Sequence, residues 1–136
     1  MKMDAGFEEI DHTADWEIKV WAPDFLSLLR VAANGMYSLM ELELESSPAV
    51  NKTFLLPFED AESTLVGFLS ELLYYVDAEK IGFKHFSFHP RKNQLRVEAT
   101  GYPIRSGRFD IKAVTYHKIK ITNQKVGLTV RIVFDV

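Results

Sequence analysis

Between Asp60 and Val76 the apolar residues Leu65, Phe68, Leu69, Leu72, Leu73 and Val76 recur at steps of three and four. That spacing puts all six on one side of a helix, and such a face must be covered by something else in the fold. The acids of Asp60-Ala61-Glu62-Ser63 stand where a helix dipole favours them, so the helix opens there. A second helical pattern, Phe25, Leu28, Leu29, Ala32, Met36, Leu39 and Met40, follows Ala22-Pro23-Asp24. It predicts a helix over about 24–40 capped by Asp24, with Gly35 weakening its C-terminal half.

The rest of the chain alternates with period two, which is the mark of strands. Residues 7–10 form a short apolar-bounded strand, and 16–21 alternate as a half-buried one. Ser46-Ser47-Pro48 is a turn, and 50–58 reads as a strand whose Pro57 marks an edge or a strand end. Phe83, Phe86 and Phe88 lie in a further strand, 95–99 alternate in the next, and Asn93 sits in the turn between them. A C-terminal hairpin is expected from 118–121 and 128–132 about a turn at 123–125. The order is β-β-α-β-α-β-β-β-β: an α+β single domain spanning 1–136, two helices on a mainly antiparallel sheet. Residues 102–114, with Pro103, Gly107 and no clean periodicity, are expected to form a long loop of the functional or mobile kind.

Composition narrows the class. Apolar residues make up 47% of the chain and ten are Phe, which implies a packed core rather than disorder. The absence of Cys excludes disulfides and thiolate metal centres and suits a reducing, cytoplasmic location. No apolar run reaches the roughly 20 residues that span a bilayer, and no leader pattern opens the chain, so a soluble protein without membrane contact is expected. The net charge of −3 hides an asymmetry, with six basic against sixteen acidic residues in 1–90 and ten against three in 91–136. The basic C-terminal part is either an anion-facing surface or one half of a mixed surface made by interleaved strands. The overall acidity argues against a free-standing nucleic-acid binder.

The residues able to do chemistry cluster at the two ends of the chain. Asp11-His12-Thr13-Ala14-Asp15 lies between two extended segments, and Asp135 ends a third. The first stretch reads either as a turn held by side-chain bonds to the backbone or as a source of metal-binding or catalytic carboxylates. If the two ends pair in one sheet, Asp15 and Asp135 converge, and converging oxygens are what a hard divalent cation requires. His85 and His89 are a poorer metal pair, because four strand residues span roughly 13 Å. Lys112, Thr115, Tyr116 and His117 form a dense polar set, either solvated at a strand start or available to hold a phosphate or carboxylate. No nucleophile elbow, phosphate-binding Gly loop or helical His-Glu zinc motif is present.

Taken together, His-Thr-Ala-Asp at 12–15, Ile-Lys-Ala-Val-Thr-Tyr-His at 111–117 and Phe-Asp-Val at 134–136 resemble the archease family, in order and across the whole chain. The resemblance implies a non-catalytic cytoplasmic activator of the GTP-dependent RNA ligase of tRNA splicing and RNA repair. Such a protein promotes ligase guanylylation and multiple turnover, and it meets RNA or nucleotide only through the ligase. It also implies a divalent cation, Ca2+ foremost with Mg2+ or Mn2+ as substitutes, held by Asp15, Asp135 and the Val136 carbonyl. Asp11 ranks lower as a ligand. His12, Lys112 and His117 are implied as ligase or nucleotide contacts. The chain departs from the family where Tyr102 follows Gly101, the glycine expected to begin the loop, in place of an acid, so the contact normally made there is either absent or supplied by Asp110. Two readings from other classes stand beside this one: a metal-dependent phosphohydrolase using the same carboxylates, and a chaperone-like or RNA-binding module using the basic C-terminal face.

Overall fold

A computed structural model describes residues 4–10, 15–125 and 127–136. Its elements are β1 (Gly6–Ile10), β2 (Trp16–Ala22), α1 (Phe25–Leu39), β3 (Glu43–Leu44), β4 (Val50–Phe58), α2 (Ala61–Glu79), β5 (Ile81–Arg91), β6 (Asn93–Ser106), β7 (Ala113–Val114), β8 (Thr122–Gln124) and β9 (Gly127–Asp135). This is the α+β order expected, with the short strands β3 and β7 added. The strands divide between two antiparallel sheets rather than one, and the chain divides into two compact units.

The first unit comprises Met1–Met40 and Phe109–Val136. Its sheet runs β1-β2-β9-β7, with β8 also on β9. Alternation places Ile18, Val20 and Ala22 of β2, with Val130, Ile132 and Phe134 of β9, on one buried face. Helix α1 covers that face with Leu28, Leu29, Ala32, Ala33 and Met36, all fully buried. Asp24 caps it as expected, its carboxylate accepting the Ser27 N–H at 2.9 Å. Gly35 has a different role from the one its propensity implies. A Cβ there would stand 2.7 Å from Ile18 Cδ1 and 3.2 Å from Phe7 Cγ, so glycine lets the helix close on the sheet. The expected C-terminal hairpin is shorter than its alternation predicts. Lys118 takes a left-handed backbone (φ 61°) and the Ile119 N–H donates to the Tyr116 carbonyl, so 118–121 stay outside the sheet. Only β8 pairs with β9, Thr122 opposite Thr129 and Gln124 opposite Gly127.

The second unit, Glu41–Arg108, has β6 at its centre with β4 and β5 antiparallel on its flanks. Among the described residues β4 pairs only with β6, so Pro57 does lie on an edge strand, where its missing N–H costs no ladder bond. The six apolar residues read as one helix face are all buried on α2. Phe68 packs edge-on against Phe86 and Phe88, at centroid distances of 5.2 and 5.6 Å. The loop expected over 102–114 is a correction: β6 continues to Ser106, and only 107–112 lack regular structure. The reason lies in partners distant in sequence. Lys80 O accepts the Ile104 N–H at 2.9 Å, Pro103 O accepts the Glu45 N–H at 2.8 Å, and β3 pairs with Ile104 and Ser106.

Asp60 caps α2, its carboxylate accepting the Ser63 N–H at 2.9 Å. Hydrogen bonding from Ser63, its side chain first and then this N–H, holds Asp60 below its ordinary value of 3.8. A carboxylate lowered on folding stabilises the fold above its unfolded value, and the contribution is lost as pH falls through the lowered one. Asp60→Asn keeps an acceptor at the cap without the charge. Urea midpoints should therefore match wild type less closely at pH 7 than at pH 3, where the wild-type advantage is smaller.

Candidate functional site at the end of the last strand

Ile132 and Phe134 anchor β9 in the core, and this fixes where the chain's last residues emerge. The β2–β9 ladder ends with Trp16 opposite Phe134. At the next position on each segment stand Asp15, half-buried, and Asp135, exposed. On the other side of β9, Ala113 of β7 faces Asp135, and the Lys112 N–H donates to the Asp135 carbonyl at 2.7 Å. Thr115 reinforces this edge, its N–H and hydroxyl both donating to the Val133 carbonyl at 3.0 and 2.9 Å. The end of β9 is thus flanked by the start of β2 and by the residues leading into β7.

Of the residues singled out in the sequence, Lys112, Asp135 and Val136 lie at this end, with Asp15 just before β2. His117 lies in the exposed turn beyond β7, where its N–H donates to Thr115 Oγ1 at 3.2 Å. Asp110 lies in the 107–112 loop, exposed. Asp11 and His12 lie outside the described residues. Gly101, expected to begin a loop, is buried within β6 opposite Phe83. His89, on β5, bonds Glu98 at 2.7 Å, and Arg96 and then His89 hold the Glu98 carboxyl below its usual range.

The donors at the strand end are all oxygens. Two side-chain carboxylates supply two negative charges and the Val136 main chain a further oxygen, a set that suits Ca2+, Mg2+ or Mn2+ better than zinc. Among the described residues no group of three or more His, Cys, Asp or Glu side chains is placed to hold an ion. A cation here would complete its shell with carbonyl, water or phosphate oxygens.

Sequence reasoning missed Glu17. Alternation puts it on the face of β2 away from α1, where a polar residue reads as solvated, yet its side chain is fully buried. Arg131 Nη1 lies 3.1 Å from Glu17 Oε2, and Lys118 Nζ lies 3.8 Å from Oε1. Only the excess of basic residues late in the chain hints that this acid has partners. Removing a partner of a fully buried acid is costly: Arg131→Ala should destabilise the fold by about 3 kcal/mol, measured by urea denaturation.

Similarity to known proteins accords with this architecture. Residues 7–136 match the model of the Archease protein family (MTH1598/TM1083). Protein archease of Methanosarcina barkeri is 30% identical over 139 residues, covering 96% of this chain and 95% of that protein. Protein archease of Methanothermobacter thermautotrophicus is 29% identical, covering 96% and 98%. In fold, the chain is similar to the solution structure of Methanobacterium thermoautotrophicum protein 1598, with TM-score 0.74, 24% identity and coverage of 96% and 99%. It is also similar to the crystal structure of an archease, described as a possible chaperone, from Thermotoga maritima, with TM-score 0.73, 23% identity and coverage of 95% and 96%. A match that runs from β1 to the last residue, through every element that builds the strand end, shows that this chain belongs to the archease family.

Proposed function

We propose that the protein is a metal-binding accessory factor of a GTP-dependent RNA ligase in tRNA splicing, promoting ligase guanylylation and repeated turnover without being catalytic itself. The observation that supports this reading is a β2–β9 ladder that ends one residue short of both Asp15 and Asp135, with the Lys112 N–H donating to the Asp135 carbonyl. Asp15, Asp135 and the Val136 carbonyl hold a divalent cation, Ca2+ foremost. The cation supplies a positive charge able to meet phosphate oxygens of a nucleotide, and Lys112 adds a point charge of the same sign. RNA and nucleotide are reached through the ligase, in keeping with the overall negative charge. Among the described residues no helix is long and apolar enough to cross a membrane, and the reading places the protein in the cytoplasm.

The test uses the ligase at a concentration well below its RNA substrate. With this protein added, joined RNA should exceed the ligase in moles many times over; without it, product should stall near one equivalent. Equal product in both reactions would remove the proposed role, and phosphate release from GTP by this protein alone would favour the hydrolase.

A further inference from the structure

We propose a second site in the first unit, a basic pocket that takes the oligophosphate group of a small ligand. A cavity of about 330 Å³ opens beside β2, β8 and β9, lined by Lys19, Lys118, Lys120 and Arg131 with the hydroxyl residues Thr122 and Thr129. The ladders explain how residues far apart in sequence meet there: Lys19 is opposite Arg131, and Thr122 is opposite Thr129. Four cations around one cavity are a marked concentration in a chain whose net charge is −3.

Such a cluster repels itself unless something holds it. Glu17 does so from beneath, its buried carboxylate drawing in Arg131 and Lys118. One buried acid offsets one of the four charges, and Glu8, opposite Lys19 across the β1–β2 ladder, lowers the potential only at one rim. The pocket retains a positive excess, with Lys19 and Lys120 outside the Glu17 pairing.

The lining defines the ligand class. Lysines act as point charges, arginine as a forked donor and threonines as neutral donors, a combination that satisfies several phosphate oxygens at once. Among the described residues no aromatic side chain lines the cavity, so they offer no platform on which a base would stack. The volume is at the small end of the range for ligand pockets, about 300–1,000 Å³. These features favour a compact oligophosphate, free or as the tail of a nucleotide, over a nucleic-acid strand. Arg131 and Asp135 are four residues apart on β9, about 13 Å along the strand, so this site does not rest on the reading of the carboxylate end.

The experiment titrates inorganic triphosphate into the full chain and follows backbone amide shifts by NMR. Shifts should concentrate at Lys19, Thr122, Thr129 and Arg131, and affinity should fall as salt rises. GTP should bind within a few-fold of triphosphate, and a single-stranded RNA without a 5′-triphosphate should bind more weakly. Lys19→Gln with Lys120→Gln, which spares the Glu17 pairs, should weaken triphosphate binding about tenfold while the thermal unfolding curve stays in place. The proposal is overturned by absence of shifts in the unmodified chain at millimolar triphosphate, by shifts centred elsewhere, by an unchanged affinity in the folded variant, or by tighter binding of the RNA. Because ligase stimulation is not read here, failure would leave the accessory-factor reading standing.

Discussion

Asp135→Ala is expected to abolish stimulation of a GTP-dependent RNA ligase while leaving the protein folded. Both halves of that expectation come from where the residue sits. Its side chain is exposed, and the bond that ties β7 to the strand end runs from the Lys112 N–H to the Asp135 backbone carbonyl, which alanine keeps. What alanine removes is one of two carboxylates proposed to hold the cation. Cation affinity should fall by about tenfold to a hundredfold, the scale on which even outer partners of metal ligands matter. Asp15→Ala should reproduce the loss. Circular dichroism and a thermal melt establish the fold, and guanylylated ligase resolved by electrophoresis reads the function. Full stimulation by folded versions of both variants would take the strand end out of the mechanism.

Gly101→Ala should have the largest effect on stability. Gly101 lies in the middle strand of the second unit, where a Cβ would stand 2.2 Å from the Gly82 carbonyl oxygen and 2.9 Å from its carbon. Both atoms are backbone, so no side-chain rotation relieves the overlap. Relief requires β5 and β6 to separate around the register shift between Phe83 and His85. Phe83 itself sits within the aromatic cluster, 6.1 Å from Phe86 and 5.3 Å from Tyr75 by ring centroid. A shift of the strand therefore disturbs the core it faces, and the cost should reach or exceed about 3 kcal/mol, the upper end for overpacking. A urea midpoint lowered at unchanged slope would agree. A midpoint within error of wild type would show that the strands yield without penalty.

Much of this fold could be read from the chain because its helices announce themselves locally. Asp24 and Asp60 each precede an apolar stripe, and both cap the helices expected of them. The strand over 50–58 was equally plain, its bounds coinciding with β4. What stayed hidden depends on partners distant in sequence. Residues 102–106 carry no alternation of their own, yet they extend β6 because Lys80 and Glu45 supply the missing bonds. The division of strands between two sheets likewise has no local signature. Gly35 and Gly101 looked like a weak spot and a loop start, whereas each is small because another element comes close.

The site was legible to a different degree. Period-two strands at both ends of the chain made it reasonable to expect Asp15 and Asp135 near each other, and the β2–β9 ladder ends one residue short of each, at Trp16 opposite Phe134. His117 could not be placed in advance, since it falls in a turn beside the left-handed Lys118 that no periodicity announces. Glu17 could not be recognised either. Its burial comes from Lys118 and Arg131, more than a hundred residues later.

The claim on which the account rests is that two acids from opposite ends of the polypeptide serve one ion. Calorimetric titration of Ca2+ into the wild-type protein, Asp15→Asn, Asp135→Asn and the double variant measures it directly. Shared ligation predicts one ion per chain, a large loss in either single variant, and little further loss when both are combined. An ion bound as tightly by both single variants as by the wild type would contradict it.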